Sequence, residues 1–331
     1  MNVSEKPRVA LVLGDPNGIG PELAAKLVAE QETSKRARLV IVADKQVLDE
    51  GMRVAGVHFD YKTADDGSAD LFTDDTPVLL TRPVYEGDAG EKGQVSKIAG
   101  KYQLDCLTKG IHLCLQGVVD CLCFAPLNKE AMHLAGLKHE DESGLFLDLL
   151  DHKGDFGLLN TLGNLWTSRA TSHVSHRQVS ELLNEESILT AARVLDKALR
   201  ASGNDDPQIA VAGLNPHAGD GGMFGTEEID IIEPAVRKAQ QEGINVSGPF
   251  PPDTIFLMGR DGKYDAVVTM YHDQGQIAMK LMGFDHGVTV HAGLDYPVTT
   301  SAHGSAYDIA GQGIANVRAL REAFLLACSM S

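Results

Sequence analysis

Residues 263–275 read KYDAVVTMYHDQG, and the change of character along this stretch decides the fold. Ala266, Val267, Val268 and Thr269 form an apolar, β-branched run without polar alternation, as expected of a strand buried in a core. The run ends in Tyr271, His272, Asp273 and Gln274, followed by Gly275. In open α/β sheets ligands bind beyond the carboxyl ends of the strands, so these polar residues read as the start of a binding site.

The same pattern recurs outward from this point. RVALVLGD, ARLVIVAD, VVDCLCFAP and PQIAVAGLNP are further buried-strand candidates, and ELAAKLVAEQ, SILTAARVLDKALRAS and IEPAVRKAQQEG carry helical spacing. The alternation predicts an α/β protein with a mostly parallel sheet. At 331 residues the chain exceeds one ordinary compact unit, so two α/β/α domains with the active site in the cleft between them are expected. The acidic stretch TADDGSADLFTDDTP, residues 63–77, reads as a solvated loop. The sequence shows no internal repeat.

Composition excludes several function classes. The 46 acidic and 29 basic residues give a formal net charge of −17, which argues against nucleic acid or an anionic membrane as partner. The apolar run near the N-terminus fits a strand and is too short for a secretory signal, and no stretch reaches the length of a membrane span. Five cysteines without regular spacing argue against a disulfide framework and for a reducing cytoplasm. Cys121 and Cys123 alternate along a strand and read as core packing.

Other predicted strand ends carry polar clusters too. GDPNGIGPE, residues 14–22, forms a tight strand-to-helix turn with Asp15, Asn17 and Glu22 near the helix start; it lacks the spacing of a dinucleotide-binding loop and reads equally well as a structural turn. TSHVSHR brings His173 and His176, NPHAGDGG brings His217, and MYHDQG brings His272. A single such histidine is ordinarily a hydrogen-bonded structural residue. Three at separate strand ends suit a divalent metal, zinc first and magnesium, manganese, cobalt or nickel after it, with a coordination position open to substrate.

In order along the chain, GDPNGIGPE, SHVSHR, GLNPHAGDGGMFGTEEID, GPFPPDT, YHDQGQIAMK and HGSAYDIAGQG resemble the 4-hydroxythreonine-4-phosphate dehydrogenase (PdxA) family. The resemblance implies NAD-linked oxidation of a hydroxyl β to a carboxylate, followed by decarboxylation, with one divalent metal on His173, His217 and His272. It further implies Lys280 as a substrate-binding or proton-moving residue, Asp273 as a residue orienting His272 or relaying a proton, and Asp253 at the site. The tail HGSAYDIAGQGIAN is also similar to the nucleotide loop of isopropylmalate and isocitrate dehydrogenases. By that likeness His303, Gly304, Ser305 and Ala306 wrap the adenosine, while Asp308 accepts from the ribose 2′-hydroxyl and favours NAD over NADP. A homodimer with side chains from both subunits in the cleft is implied as well. The expected domains are residues 1–130 with 308–331, and residues 131–307, the second carrying the metal ligands.

Departures from the family pattern bear on the substrate. KHEDESGLF places Glu142 and Ser143 where phosphate-handling members have a His-Thr pair, and Thr289 and Val298 stand where they have an Asn and an Arg; Lys280 is retained. Each charge-assisted bond lost to phosphate is worth about 1.5–3 kcal/mol, and a carboxylate beside phosphate repels it. The expected substrate is therefore a small non-phosphorylated carboxylate, as in the terephthalate dihydrodiol dehydrogenase branch, with a ring packing on Val298. His286, His291, Lys138 and His139 are lesser candidates for holding a second carboxylate. The alternatives are a 4-hydroxythreonine-4-phosphate or sugar-acid phosphate dehydrogenase and, from another class, a non-catalytic metabolite-binding protein on the same fold.

Overall fold

The computed structural model describes residues 6–65, 71–82 and 90–331. In chain order the first stretch builds β1 (Arg8–Val12), α1 (Gly20–Ala29), α2 (Gln31–Arg36), β2 (Arg38–Ala43), α3 (Lys45–Ala55), β3 (Lys62–Ala64), β4 (Val78–Thr81), α4 (Lys97–Leu115), β5 (Cys121–Phe124), α5 (Lys129–Leu134) and α6 (Glu142–Leu149). Then come β6 (Gly157–Leu162), β7 (Leu165–Arg169), α7 (His176–Leu182), α8 (Glu185–Ala201), β8 (Ile209–Ala212), α9 (Glu233–Gln241), β9 (Val246–Phe250), α10 (Ile255–Arg260), β10 (Ala266–Thr269), α11 (His272–Gly283) and β11 (Val288–Ala292). The chain closes with β12 (Val298–Ser301) and α12 (Arg318–Ser329).

Two compact units result, the first from residues 1–153 and 294–329, the second from residues 154–293. The divisions expected after 130 and 307 are displaced. α5 and α6 pack on α4, and β12 pairs in parallel with β5, Val298 opposite Leu122, so both flanks of the expected second domain belong to the first unit.

In the first unit the strand order is β3-β4-β2-β1-β5-β12, each pairing parallel. Buried on both faces, β1, β2 and β5 take the unbroken apolar runs seen in the sequence. Cys121 and Cys123 lie buried in β5, and burial pushes the Cys123 thiol up to about 12. The order reverses at β1 and β5, the point beyond whose carboxyl ends ligands are expected. The GDPNGIGPE turn begins there.

The second unit runs β11-β6-β7-β10-β8-β9. β7, β10, β8 and β9 are parallel; β11, β6 and β7 pair antiparallel. The β6–β7 hairpin turns through Gly163 and Asn164, with Gly163 left-handed at φ 57°, a conformation glycine adopts freely. Leu165, Ala210, Ala212, Ile255, Phe256, Val267 and Met279 form a buried cluster in this unit. Residues 66–70 of the acidic stretch lie outside the described residues, and its first residues, Thr63 and Ala64, belong to β3.

Candidate active site

The histidines of the second unit sit where the strand-end argument requires. β7 is followed by His173, β10 by His272 and β8 by His217, and these three strands are neighbours in the order β7-β10-β8. The rings of His173 and His272 stand 5.3 Å apart between centroids. His272 donates from Nδ1 to Asp273 at 2.8 Å; this fixes the tautomer of a neutral ring and leaves Nε2 with its lone pair. The same bond holds the Asp273 carboxyl below its usual range. His176 packs edge-on to Tyr271, centroids 5.1 Å apart.

His217 opens an unusual turn. His217, Ala218, Gly219, Asp220 and Gly221 all have left-handed dihedrals, which only glycine adopts without cost. The turn is wrapped around Glu228, 2% exposed. Its carboxylate accepts from the Leu214 N–H at 2.8 Å, the Asn215 N–H at 2.7 Å and the Asn215 amide at 2.9 Å. A Cβ on Gly219 would fall 2.7 Å from Glu228 Oε2, so the turn needs glycine there to close on the carboxylate. Gln274 then ties this loop to the His272 segment: its side-chain oxygen accepts from Met270 N at 2.7 Å, and its amide donates to Gly213 O at 2.8 Å. Sequence reasoning placed Gln274 at the site without this bridging role and passed over Glu228, although the glycine-rich PHAGDGGMFG stretch signalled left-handed backbone.

The three histidines nevertheless do not complete a metal site within one chain. Among the described residues no group of three or more His, Cys, Asp and Glu side chains is placed to hold an ion. One copy brings His173 and His272 together and leaves His217 outside a three-ligand set.

Elsewhere in this unit, Asp253 is exposed in the turn after β9, and Lys280 is exposed on α11. One turn before it, Gln276 hydrogen-bonds Asn160, whose amide donates to Thr289 Oγ1 at 3.1 Å. Arg169 reaches the same asparagine, donating to Asn160 Oδ1 at 3.1 Å and to Ser172 Oγ at 3.0 Å. Arg169, which the sequence reading missed, thus puts a guanidinium in the network around Thr289, the position where an anion-gripping Asn was found wanting. His286 pairs with Asp285 at 2.6 Å, and His291 is buried beside Phe156, so His291 offers no surface to a carboxylate.

In the first unit, the loop assigned to the nucleotide follows β12. Gly304 is exposed, with open space where a Cβ would stand, Asp308 is exposed, and His303 Nδ1 donates to Gly304 O at 3.1 Å. Ser305 is buried and Ala306 is left-handed at φ 43°. An accessible carboxylate next to bare backbone fits a ribose lying on the loop.

The ring pocket expected on Val298 is not there. Val298 is 0% exposed, because it is the first residue of β12 and packs inside the sheet. Glu142 is 7% exposed and Ser143 is buried with it at the start of α6. Burial raises the Glu142 carboxyl, and Lys129, with Nζ 3.8 Å from both Glu142 and Asp141, opposes that rise. The repulsion of phosphate attributed to a free carboxylate therefore does not follow. His139 is paired with Asp148 at 2.8 Å, and Lys138 is exposed.

Known proteins agree with this motif set. A protein of Pseudomonas aeruginosa provisionally named 4-hydroxythreonine-4-phosphate dehydrogenase 2 is 50% identical over 332 residues, covering 100% of this chain and 98% of its own. The D-threonate 4-phosphate dehydrogenase of Salmonella typhimurium is 36% identical, covering 99% and 100%. Among solved structures, a 4-hydroxythreonine-4-phosphate dehydrogenase from Klebsiella pneumoniae superposes with a TM-score of 0.85 at 36% identity, covering 100% and 99%. A terephthalate 1,2-cis-dihydrodiol dehydrogenase from Burkholderia xenovorans reaches 0.69 at 29%, covering 98% of each. The dihydrodiol reading is thereby corrected, since the relatives named for phosphorylated acids are nearer in both sequence and fold. The model of the pyridoxal phosphate biosynthetic protein PdxA matches residues 35–327, and the chain belongs to the PdxA family.

Proposed function

We propose that this protein oxidises, with NAD, the C3 hydroxyl of a four-carbon acid bearing a 4-phosphate, either 4-hydroxythreonine 4-phosphate or D-threonate 4-phosphate, and that the product then decarboxylates. The observation that carries the reading is full-length likeness, at 50% and 36% identity, to proteins named for those two substrates. Arg169 brings a guanidinium to Asn160, which is bonded to Thr289, supporting an anion grip built around Arg169; Lys280, exposed on α11, is proposed as a second cation of that grip.

NAD, when bound, would take up the C3 hydride, and the hydroxyl proton would go to a base supplied by the protein. The C1–C2 bond of the resulting β-keto acid breaks, carbon dioxide leaves, and the enolate is reprotonated at C2. Asp273, bonded to His272, and Lys280 are the groups proposed to hold or move these protons, and Asp253 is proposed as a third. His303 to Ala306 and Asp308 are proposed to receive the cofactor.

A divalent ion, when bound, would supply Lewis acidity at the C3 oxygen. One copy pairs only His173 and His272, so the homodimer is proposed to complete the ligand set. Ile277 and Leu281, on the helix that His272 begins, are exposed large apolar residues, Leu281 at 83%, as an interface requires.

Purified protein should be assayed for NADH formation on 4-hydroxythreonine 4-phosphate, D-threonate 4-phosphate and terephthalate dihydrodiol, with carbon dioxide followed in parallel. Turnover of either phosphorylated acid well above the dihydrodiol is expected. A dihydrodiol with the higher kcat/KM would overturn the proposal.

A further inference from the structure

Two motifs far apart in sequence meet at the point where the first unit's strand order reverses. Asp15 lies just past the carboxyl end of β1, and the backbone N–H of Asp15 donates to Pro126 O at 2.9 Å, just past β5. Asp15 is 0% exposed. Its carboxylate accepts from the Asn17 N–H at 3.0 Å and from the Tyr307 hydroxyl at 2.6 Å, across 292 positions of chain. A buried carboxylate is costly unless hydrogen bonds hold it, and burial is indeed what raises its pKa, against these bonds and the charge of Lys92.

The contact is built from the backbone outward. Ile19 N donates to Ser305 O at 3.0 Å, and Ser305 Oγ donates to Leu127 O at 3.3 Å. A Cβ on Gly18 would fall 2.6 Å from that of Ser305, so glycine is what lets the two loops close. Lys92 Nζ donates to Pro16 O at 2.7 Å and Gly93 N to Asn17 O at 2.8 Å, bracing the turn from a third segment. Ala306 is held left-handed between these anchors, a conformation that costs a non-glycine residue about 1 kcal/mol or more. Tyr307 follows it, and Asp308, exposed, comes next.

We propose that Asp15 and Tyr307 form a positioning pair that presets the 303–308 loop for NAD and aims Asp308 at the ribose. This rests on the assignment of that loop to the cofactor. Ordering a loop before binding removes part of the entropic cost of binding. The Tyr307 hydroxyl ties the residue before Asp308 to the turn after β1.

The test is Tyr307→Phe, which removes the hydroxyl and keeps the ring, read by NADH fluorescence titration, by the NAD to NADP preference and by thermal melting. NADH affinity should fall about fivefold to tenfold, the effect of one buried hydrogen bond. The preference for NAD should shrink, and kcat at saturating NAD should change far less than kcat/KM for NAD. Asp15→Asn leaves one oxygen where two donors now each have their own, but its amide can donate to the Tyr307 oxygen in place of accepting from it, so it should be the milder variant. Wild-type protein that binds no NADH would refute the cofactor assignment itself. Wild-type protein that binds NADH, beside a Tyr307→Phe variant with a lowered melting point but affinity and preference within twofold, would overturn the positioning role and leave the assignment standing.

Discussion

Removing the Glu228 carboxylate should release the left-handed turn that carries His217. The turn holds three non-glycine residues, His217, Ala218 and Asp220, at positive φ, a strain of about 1 kcal/mol each and so about 3 kcal/mol together. Opposing it, the carboxylate accepts three hydrogen bonds, and charge-assisted bonds of this kind are worth about 1.5–3 kcal/mol each. The balance is close enough that losing the acceptor should tip it. Glu228→Ala is expected to cost about 3–5 kcal/mol, part of it from leaving the half-buried Leu214 and Asn215 N–H groups without an acceptor. Glu228→Gln keeps one oxygen for those two donors but sets an amide against the Asn215 amide, for about 1–2 kcal/mol. Urea denaturation measures both variants, and native-state hydrogen exchange at Leu214 and Asn215 reports whether the turn opens locally. An alanine variant less than about 1 kcal/mol weaker, with those amides still protected, would refute the claim that Glu228 holds the turn.

Arg169→Ala should raise KM for the phosphorylated substrate by about tenfold or more, the loss of one charge-assisted anion contact, with the dihydrodiol unaffected; steady-state kinetics on both decide it. Asp308→Ala should narrow the gap between NAD and NADP by removing both a ribose hydrogen bond and the repulsion of a 2′-phosphate, measured as the ratio of their kcat/KM values. Sedimentation velocity should find the wild-type protein as the proposed homodimer and Leu281→Glu as a monomer, and a variant still dimeric at micromolar concentration would exclude α11 from the interface.

The parallel core was legible because a strand buried on both faces must be apolar throughout, as in RLVIVA and AVVT. Among the strands missed, GLLNTL, LWTSR and VTVHA alternate with Thr, Ser, Asn and His, and their antiparallel pairing was signalled only by Gly163-Asn164; β3, β4, β9 and β12 were missed as short runs of three to five residues. α4 was hidden by its internal Gly100 and Gly110, required because a Cβ there would meet Ala131 O at 1.8 Å and Leu122 at 2.8 Å. The histidine positions were readable from strand ends. Glu228 was not, since in TEEID it looks like one more solvated acid, and only the turn folded around it makes it buried. Val298 was misjudged because its position was matched without knowing that β12 takes it into the sheet.

The course of the chain through the two units sets an order of events during synthesis. The second unit is an insertion within the first, and its entry and exit lie side by side: a Cβ on Gly293 would fall 2.0 Å from the Asp155 carbonyl oxygen. As the ribosome works, residues 154–293 emerge as one continuous piece able to close on itself. The first unit has no such freedom, for β12 is the neighbour of β5. From the moment Phe124 is made until Val298 follows, one edge of β5 stands open, with the uncharged run Cys121, Leu122, Cys123 and Phe124 along it, the kind of edge that seeks a partner from another chain. Nascent chains stalled before Val298 should resist protease across 154–293 while the earlier half is cut. The sheet that holds the GDPNGIGPE turn is therefore begun first and finished last.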